Sequence, residues 1–289
     1  VKIAIVGGAG KMGRWIARFL IAENISVSLI DTDDERLRTA MRELNVEGTS
    51  KLINARKADC VIISVPIAVF EQTAKELSQH LRKGQSVIDV TSVKIMPVET
   101  MHRLFSGCLV LGAHPVFGPG ATSLEGHNVV LTPTTSMETE LAERAKIFLE
   151  TKGARVEVMT PAEHDRLMAA VLGLSHYVAF VAGDTLVEQG NLKGMETVSG
   201  VTFRVLMTMI SSVFGEDPSL YASIQTHLPD LPILQHRFIE KASEWADLVK
   251  QQNTPGLVNK LEALSRQLSG GNPGQDSAYS AMYNIAERR

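Results

Sequence analysis

Near its start the chain runs as an unbroken apolar stretch from Lys2 to Val6, and then crosses Gly7-Gly-Ala-Gly-Lys-Met-Gly13. It continues as Arg14 to Ala22, with Trp15, Ile16, Phe19 and Leu20 at helical spacing. The first run is too short for a helix and is bounded by glycine, so it reads as a buried parallel strand. Strand, glycine turn and helix in that order constrain the fold more than any other feature, because they commit the chain to an α/β unit. In that context a G-x-G-x-x-G pattern becomes an expectation of dinucleotide binding. Gly8 is expected to allow the tight turn, Gly10 to let a pyrophosphate approach the backbone, and Gly13 to let the helix pack on its strand. The helix N-terminus would offer unpaired N–H groups and a partial positive charge to phosphates, and Lys11 and Met12 of the loop before it are expected to line the cofactor.

A second strand, Val27 to Ile30, ends at Asp31. An acidic residue there can accept hydrogen bonds from the adenosine ribose and repel a 2′-phosphate, which favours NAD over NADP. Asp31 can equally cap a helix starting near Asp33, and Arg36 and Arg38 leave NADP open. The alternation then continues. Strands are expected at Cys60 to Val65 (ending in Pro66), Ser86 to Val90, Asn128 to Leu131 and Arg155 to Val158. Helices are expected at Val69 to Leu81, Val98 to Leu104 and Glu138 to Lys152. This is the pattern of a doubly wound sheet, whose ligands sit beyond the carboxyl ends of the strands. Val65, Pro66, Asp31, Ser92, Lys94 and His114 all fall at such ends.

The stretch Leu109-Val-Leu-Gly-Ala-His-Pro-Val-Phe-Gly-Pro-Gly120 reads as a short strand, Leu109 to Leu111, running into a loop rich in glycine and proline. His114 at its mouth is suited to proton transfer, or is a turn histidine on the surface. From Thr160-Pro-Ala-Glu163, a capping box with proline at the first helical position, the strand signal stops. Helices follow to about Gln189, then at Val198 to Phe214, Ser219 to Gln225, Ile233 to Gln251 and Pro255 to Leu268, with a loose tail from Gly270. The division expected is a nucleotide-binding domain over 1–159 and a helical domain over 160–289. The apolar content of the helical half suggests a homodimer formed through it. His176 lies on the apolar stripe Asp165, Met168, Leu172, His176, Ala179, where a hydrogen-bonded core histidine is the plain alternative to a ligand. Arg204, between Phe203 and Val205, is expected to need an anion, which a carboxylate substrate or an internal Asp or Glu would supply equally.

Composition narrows the class. The net charge of −3 and pI near 6.3 give no basic footprint for nucleic acid. The two cysteines, Cys60 and Cys108, have no metal-ligand spacing, and no metal is expected. No apolar run approaches membrane-spanning length and no signal-peptide pattern opens the chain, so a cytoplasmic protein is expected.

Taken together, Gly8-x-Gly10-x-x-Gly13, Asp89-Val-Thr-Ser-Val-Lys94, His114-Pro-Val-Phe-Gly-Pro119, Glu163-His-Asp165, Ser175-His-Tyr-Val-Ala-Phe180 and Asp217-Pro-Ser-Leu-Tyr221 resemble the prephenate dehydrogenase family, and its archaeal-type members most. The resemblance covers nearly the whole chain. It implies a Rossmann-type domain followed by a helical substrate and dimerisation domain. It also implies NAD-dependent oxidation at C4 of prephenate with loss of the ring carboxylate, giving 4-hydroxyphenylpyruvate for tyrosine synthesis. On this resemblance His114 takes the C4 hydroxyl proton, Ser92 touches that hydroxyl and the nicotinamide, and Lys94 contributes charge. His176 and Arg204 face the substrate. Many members carry a second arginine eight positions beyond the one matching Arg204, clamping the ring carboxylate; here that position is Ser212. Loss of such a clamp costs roughly 2–5 kcal/mol, unless Arg204, Lys94 or Arg237 replaces it. Arogenate, another small carboxylate, and a catalytically silent NAD-binding regulator are the alternative readings.

Overall fold

The computed structural model describes residues 1–271 and 275–287. The first half alternates strands and helices in the order β1 (Lys2–Val6), α1 (Lys11–Ala22), β2 (Ser26–Ile30), α2 (Asp34–Leu44), β3 (Glu47–Thr49), β4 (Cys60–Ile63), α3 (Ile67–Ser78), β5 (Ser86–Asp89), α4 (Ile95–Leu104), β6 (Leu109–Pro115), β7 (Asn128–Thr132), α5 (Ser136–Glu150) and β8 (Arg155–Val158). The sheet has the order β3-β2-β1-β4-β5-β6-β7-β8 and reverses its winding between β1 and β4. This is the doubly wound arrangement expected of the alternation.

Successive side chains of a strand point to opposite faces, and β1 shows what that achieves. Ile3 and Ile5 pack with Trp15, Ile16 and Leu20 of α1, whereas Ala4 and Val6 pack with Phe70, Ala74 and Leu77 of α3. Both faces of the sheet are thereby covered, each large apolar side chain contributing about 1.5–3 kcal/mol on burial. Cys60 and Cys108 are free thiols beside this core.

One strand departs from its expected form. β6 does not stop at Leu111 but continues through His114 to Pro115, because its last four residues pair antiparallel with β7, His114 standing opposite Val130. Gly112 and Pro115 hide this extension in the sequence, since both are poor strand formers. β8 then adds parallel to β7, so the sheet is mixed rather than wholly parallel. The short β3, with glycine at its centre, also carries no periodic signal.

The rest of the chain is helical: α6 (Pro161–Met168), a π-helical stretch Ala169–Leu174, α7 (Ser175–Gln189), α8 (Leu192–Thr197), α9 (Val201–Phe214), α10 (Pro218–His227), α11 (Leu231–Lys250), α12 (Thr254–Gly271) and α13 (Gln275–Glu287). At the start of α6 the Thr160 hydroxyl accepts the Glu163 N–H at 3.2 Å. The tail expected to be loose holds helix α13, which packs on α9; Asn272–Gly274 lie outside the described residues. The chain forms two compact units, Val1–Met168 with Ala222–Leu228, and Ala169–Tyr221 with the residues from Pro229 onward. In the second unit Ala179, Ile210 and Val213 form a small core joined by Phe180, Leu206 and Tyr221. Contrary to the expectation from apolar runs, the continuous helix Pro161–Gln189 is long and apolar enough to cross a membrane, with a mean hydropathy of 1.5 over its best window. The polar residues Ser175, His176 and Tyr177 interrupt its sequence and mask that length.

Candidate active site

The parallel registers place the ends of four strands side by side: Val6 opposite Ile63, Ile63 opposite Asp89, and Asp89 opposite Gly112. The residues that follow (Gly7 to Gly13, Ser64 to Pro66, Val90 to Lys94, and His114) therefore share one edge of the sheet. Gly7 has φ +78 and lies against Ser64 and Val65, so Gly7 makes the tight turn that was assigned to Gly8. Gly8 is buried against Ile5 and Leu29 instead. At Gly13 a Cβ would fall on the Gly7 carbonyl oxygen, which is the close helix-to-strand packing expected there. A Cβ at Gly10 would meet only that carbonyl, at 3.3 Å, leaving the loop open on its outer side. Gly10 caps α1 without a side chain, and no acidic residue sits in the first turn with Lys11 and Met12. An anion is the natural complement of such an end.

Asp31 does not cap α2. Asp33 does, accepting the N–H groups of Glu35 and Arg36. The Asp31 carboxylate accepts the Ala9 N–H at 2.9 Å with one oxygen and the Asp33 N–H at 3.1 Å with the other. It thus ties the glycine loop to the end of β2, and each oxygen keeps a lone pair for a further donor. Val65 and Pro66 follow β4, with Pro66 opening α3. These residues fit a dinucleotide by the cradle at Gly10, the uncapped helix and the acceptor at Asp31.

Beside that loop lies a buried polar cluster. His114 is 4% exposed, and Asp89, Lys94, His164 and Asp165 are 1% or less. His114 Nδ1 lies 2.8 Å from His164 Nε2, and His164 Nδ1 lies 2.7 Å from Asp165 Oδ1. Asp165 accepts the backbone N–H of Lys94 at 2.7 Å and of Ile95 at 2.9 Å, so a side chain of α6 caps the start of α4. The Lys94 ammonium pairs with the Asp89 carboxylate and donates to the Ala113 carbonyl at 2.7 Å. Asp89 also accepts the Thr91 N–H at 2.8 Å. Ser92, half-buried, lies between Thr91 and this cluster in the loop.

Burial disfavours charge throughout the cluster. It pushes the His114 imidazole well below the usual histidine range, and the neighbouring His164 and Lys94 push it further. Burial also lowers His164, against the opposing pull of Asp165. For the Lys94–Asp89 pair burial outweighs mutual attraction, lowering the lysine and raising the aspartate. A neutral imidazole at neutral pH is the form a general base requires. Lys94, fully buried with its ammonium spent on Asp89 and Ala113, touches the backbone beside His114 and offers no surface to a substrate. Its charge is confined to Asp89 and to the backbone that carries His114, and it has no exposed face to replace the carboxylate clamp.

Of the residues expected on the substrate side, all in the second unit, His176 is half-buried and stacks edge-on against Tyr221, ring centroids 4.7 Å apart. Its Nδ1 is buried without a hydrogen-bond partner among the described residues, which is unusual for a core histidine. Arg204 is exposed on α9, so its apolar neighbours impose no need for an internal anion and that expectation falls. Ser212, two turns on, is exposed with its hydroxyl bonded to the Met209 carbonyl at 2.8 Å. Arg237 is exposed on α11.

His164 and Asp165 stand in a motif that carries the family resemblance but that assigns them no role. The available signal was an adjacent His-Asp pair placed by the Thr160 cap in the opening turns of a helix.

Comparison with known proteins bears on these features. Residues 16–158 match the family described as prephenate dehydrogenase, nucleotide-binding domain, and residues 160–263 match prephenate dehydrogenase, dimerization domain. The glycine loop precedes the first match. The chain is 33% identical over 283 residues to the probable arogenate/prephenate dehydrogenase of Methanocaldococcus jannaschii, covering 96% of this chain and 63% of that protein. It is 33% identical over 226 residues to the T-protein of Haemophilus influenzae, covering 77% and 55%. The chain thus spans somewhat over half the length of these curated relatives. The prephenate dehydrogenase of Aquifex aeolicus, solved with hydroxyphenyl propionate and NAD+, superposes with a TM-score of 0.78 at 24% identity over 94% of this chain and 98% of that one. The arogenate dehydrogenase of Synechocystis gives 0.72 at 24%, over 94% and 100%. These last two likenesses are of fold.

Proposed function

This chain belongs to the prephenate dehydrogenase family, and on that premise we propose that it oxidises prephenate at C4 with NAD and releases the ring carboxylate as CO2. The observation that carries the reading is His114, a buried imidazole kept neutral by its surroundings, on the sheet edge that also bears the glycine loop. NAD, when bound, supplies the hydride acceptor. The residues of this chain then have separable tasks. Gly10, Lys11 and Met12 receive the pyrophosphate on a loop whose close packing Gly8 and Gly13 allow, Asp31 the adenosine ribose, and Val65, Pro66 and Ser92 the nicotinamide end. His114 takes the hydroxyl proton and Ser92 orients that hydroxyl. His176, with its unpartnered Nδ1, and Arg204 bind substrate carboxylate or carbonyl groups. Arg204 and Arg237 are the cations available in place of the arginine that Ser212 displaces.

Arogenate is the second reading, favoured by the double name of the Methanocaldococcus relative. The test is the appearance of reduced nicotinamide when the protein meets NAD with prephenate or, in parallel, with arogenate. Turnover of neither, with NAD still bound, would refute both. His114→Asn should abolish turnover and leave NAD binding intact.

The working form is a cytoplasmic homodimer built through the helical unit. Val171, Val181, Val187, Phe214 and Ile239 are exposed there, and a second copy covering them accounts for an apolar helix without invoking lipid. Light scattering in detergent-free buffer should give about twice the 31.5 kDa chain mass; a monomer at micromolar concentration would overturn this.

A further inference from the structure

We propose that His164 and Asp165 are positioning residues that fix the tautomer of His114, leaving its Nε2 bare to receive the substrate proton. The inference rests on reading His114 as the base and names what makes that base competent. The two Asp165 oxygens accept the backbone N–H groups of Lys94 and Ile95, so the group is oriented as an acceptor by the first turn of α4. His164 Nδ1, at 2.7 Å from the same carboxylate, must then be the donor. In a neutral ring that leaves His164 Nε2 as the acceptor. His114 Nδ1, 2.8 Å away, must donate to it. The proton of a neutral His114 therefore sits on Nδ1, and Nε2 carries the lone pair.

The ring of contacts closes on itself. Lys94 gives its backbone N–H to Asp165 and its ammonium to the carbonyl of Ala113, the residue preceding His114. Both the imidazole and the peptide that carries it are thus held from the same loop. The groups facing His114 are His164 and Asp165 from α6, Lys94 from the loop and Asp89 from β5. When Nε2 accepts a proton, the Nδ1 proton can pass to His164 Nε2. One proton enters the pair of rings and none is lost, and the positive charge comes to rest next to the Asp165 carboxylate rather than on His114.

The test combines imidazole nitrogen spectra of the full-length, histidine-labelled protein without substrate and steady-state kinetics. The His114 signals are assigned by their loss in His114→Asn. At neutral pH, His114 of the parent protein should show a protonated Nδ1 and a bare Nε2. His164→Leu, which removes the acceptor, should convert this to a mixture of tautomers and lower kcat at least about tenfold while KM moves less than about twofold. His164→Gln, whose side-chain oxygen can accept from Nδ1, should keep the tautomer and recover part of kcat. A proton on Nε2 in the parent protein, or undiminished kcat in His164→Leu, would overturn the proposal. The spectra need no turnover, so a protein inactive on prephenate and arogenate would refute the reaction while the tautomer is read independently.

Discussion

Replacing Lys94 by methionine should be among the most destabilising single changes available to the first unit. The lysine and Asp89 are both fully buried, and their charges answer one another and little else. Methionine keeps most of the stem's volume but strands the Asp89 carboxylate in the interior, with the Thr91 N–H and side chain left to offset it. Removing one partner of a buried pair costs about 3–5 kcal/mol, a large part of the ~5–15 kcal/mol by which a domain is stable. At roughly 2–4 °C per kcal/mol for a unit of this size, the midpoint should fall by about 6–20 °C. The double variant Lys94→Met with Asp89→Asn should lie within about 2 kcal/mol of the parent, because an uncharged pair escapes the desolvation that both groups suffer. Asparagine can still accept the Thr91 N–H. Urea unfolding followed by circular dichroism and by the fluorescence of Trp15, in the first unit, reads both variants. A single variant within about 1 kcal/mol of the parent, or a double variant as unstable as the two singles combined, would refute the reasoning.

Four further outcomes follow from the site. Because burial holds His114 below the ordinary histidine value of 6.5, the acid limb of kcat/KM should fall below that pH, and a limb at or above it would contradict the burial argument. The same depressed value means that protonation favours the unfolded chain, so stability should be lost as pH falls from 6.5 towards the folded pKa, and His114→Asn should shallow that slope in thermal melts. Asp31→Ser should raise the affinity for NADP relative to NAD in calorimetric titrations; a parent protein that binds NADP as tightly as NAD would remove the basis for that expectation. Gly13→Ala drives a methyl into the Gly7 carbonyl, at a cost of about 1–3 kcal/mol, and should weaken NAD binding with it, whereas an unchanged melt and titration would show that the loop can yield.

The strands that the sequence shows plainly are those buried on both faces, such as Lys2–Val6 and Cys60–Ile63, because continuous apolar runs have few other uses. The extension of β6 through His114 is illegible because it depends on a partner, β7, fourteen or more residues away, which overrides the local preferences of Gly112 and Pro115. The site divides along the same line. Gly7 to Gly13 and Asp31 announce themselves by local spacing, while the burial of Lys94 and its ties to Asp89, Ala113 and Asp165 are products of tertiary packing. Arg204 errs in the opposite direction: apolar neighbours in sequence do not bury a side chain that the helix turns outward. The terminal helix α13 is short of periodic apolar signal and follows Gly-Gly-Asn-Pro-Gly, which reads as an end rather than a pause.

His114 stands inside a paired strand, opposite Val130, and not on the loop that follows it. That placement separates what must stay constant from what can vary. The segment between β6 and β7 can gain or lose residues, or change its side chains, without shifting the register that fixes the imidazole. The side chains of this segment can therefore diverge while the placement of His114 is inherited with the sheet. The opening of α6 has no such freedom. One residue inserted between Thr160 and His164 would turn the helix by about 100° and carry His164 and Asp165 away from His114, so this short stretch should tolerate replacement of its outward side chains but never a change of length.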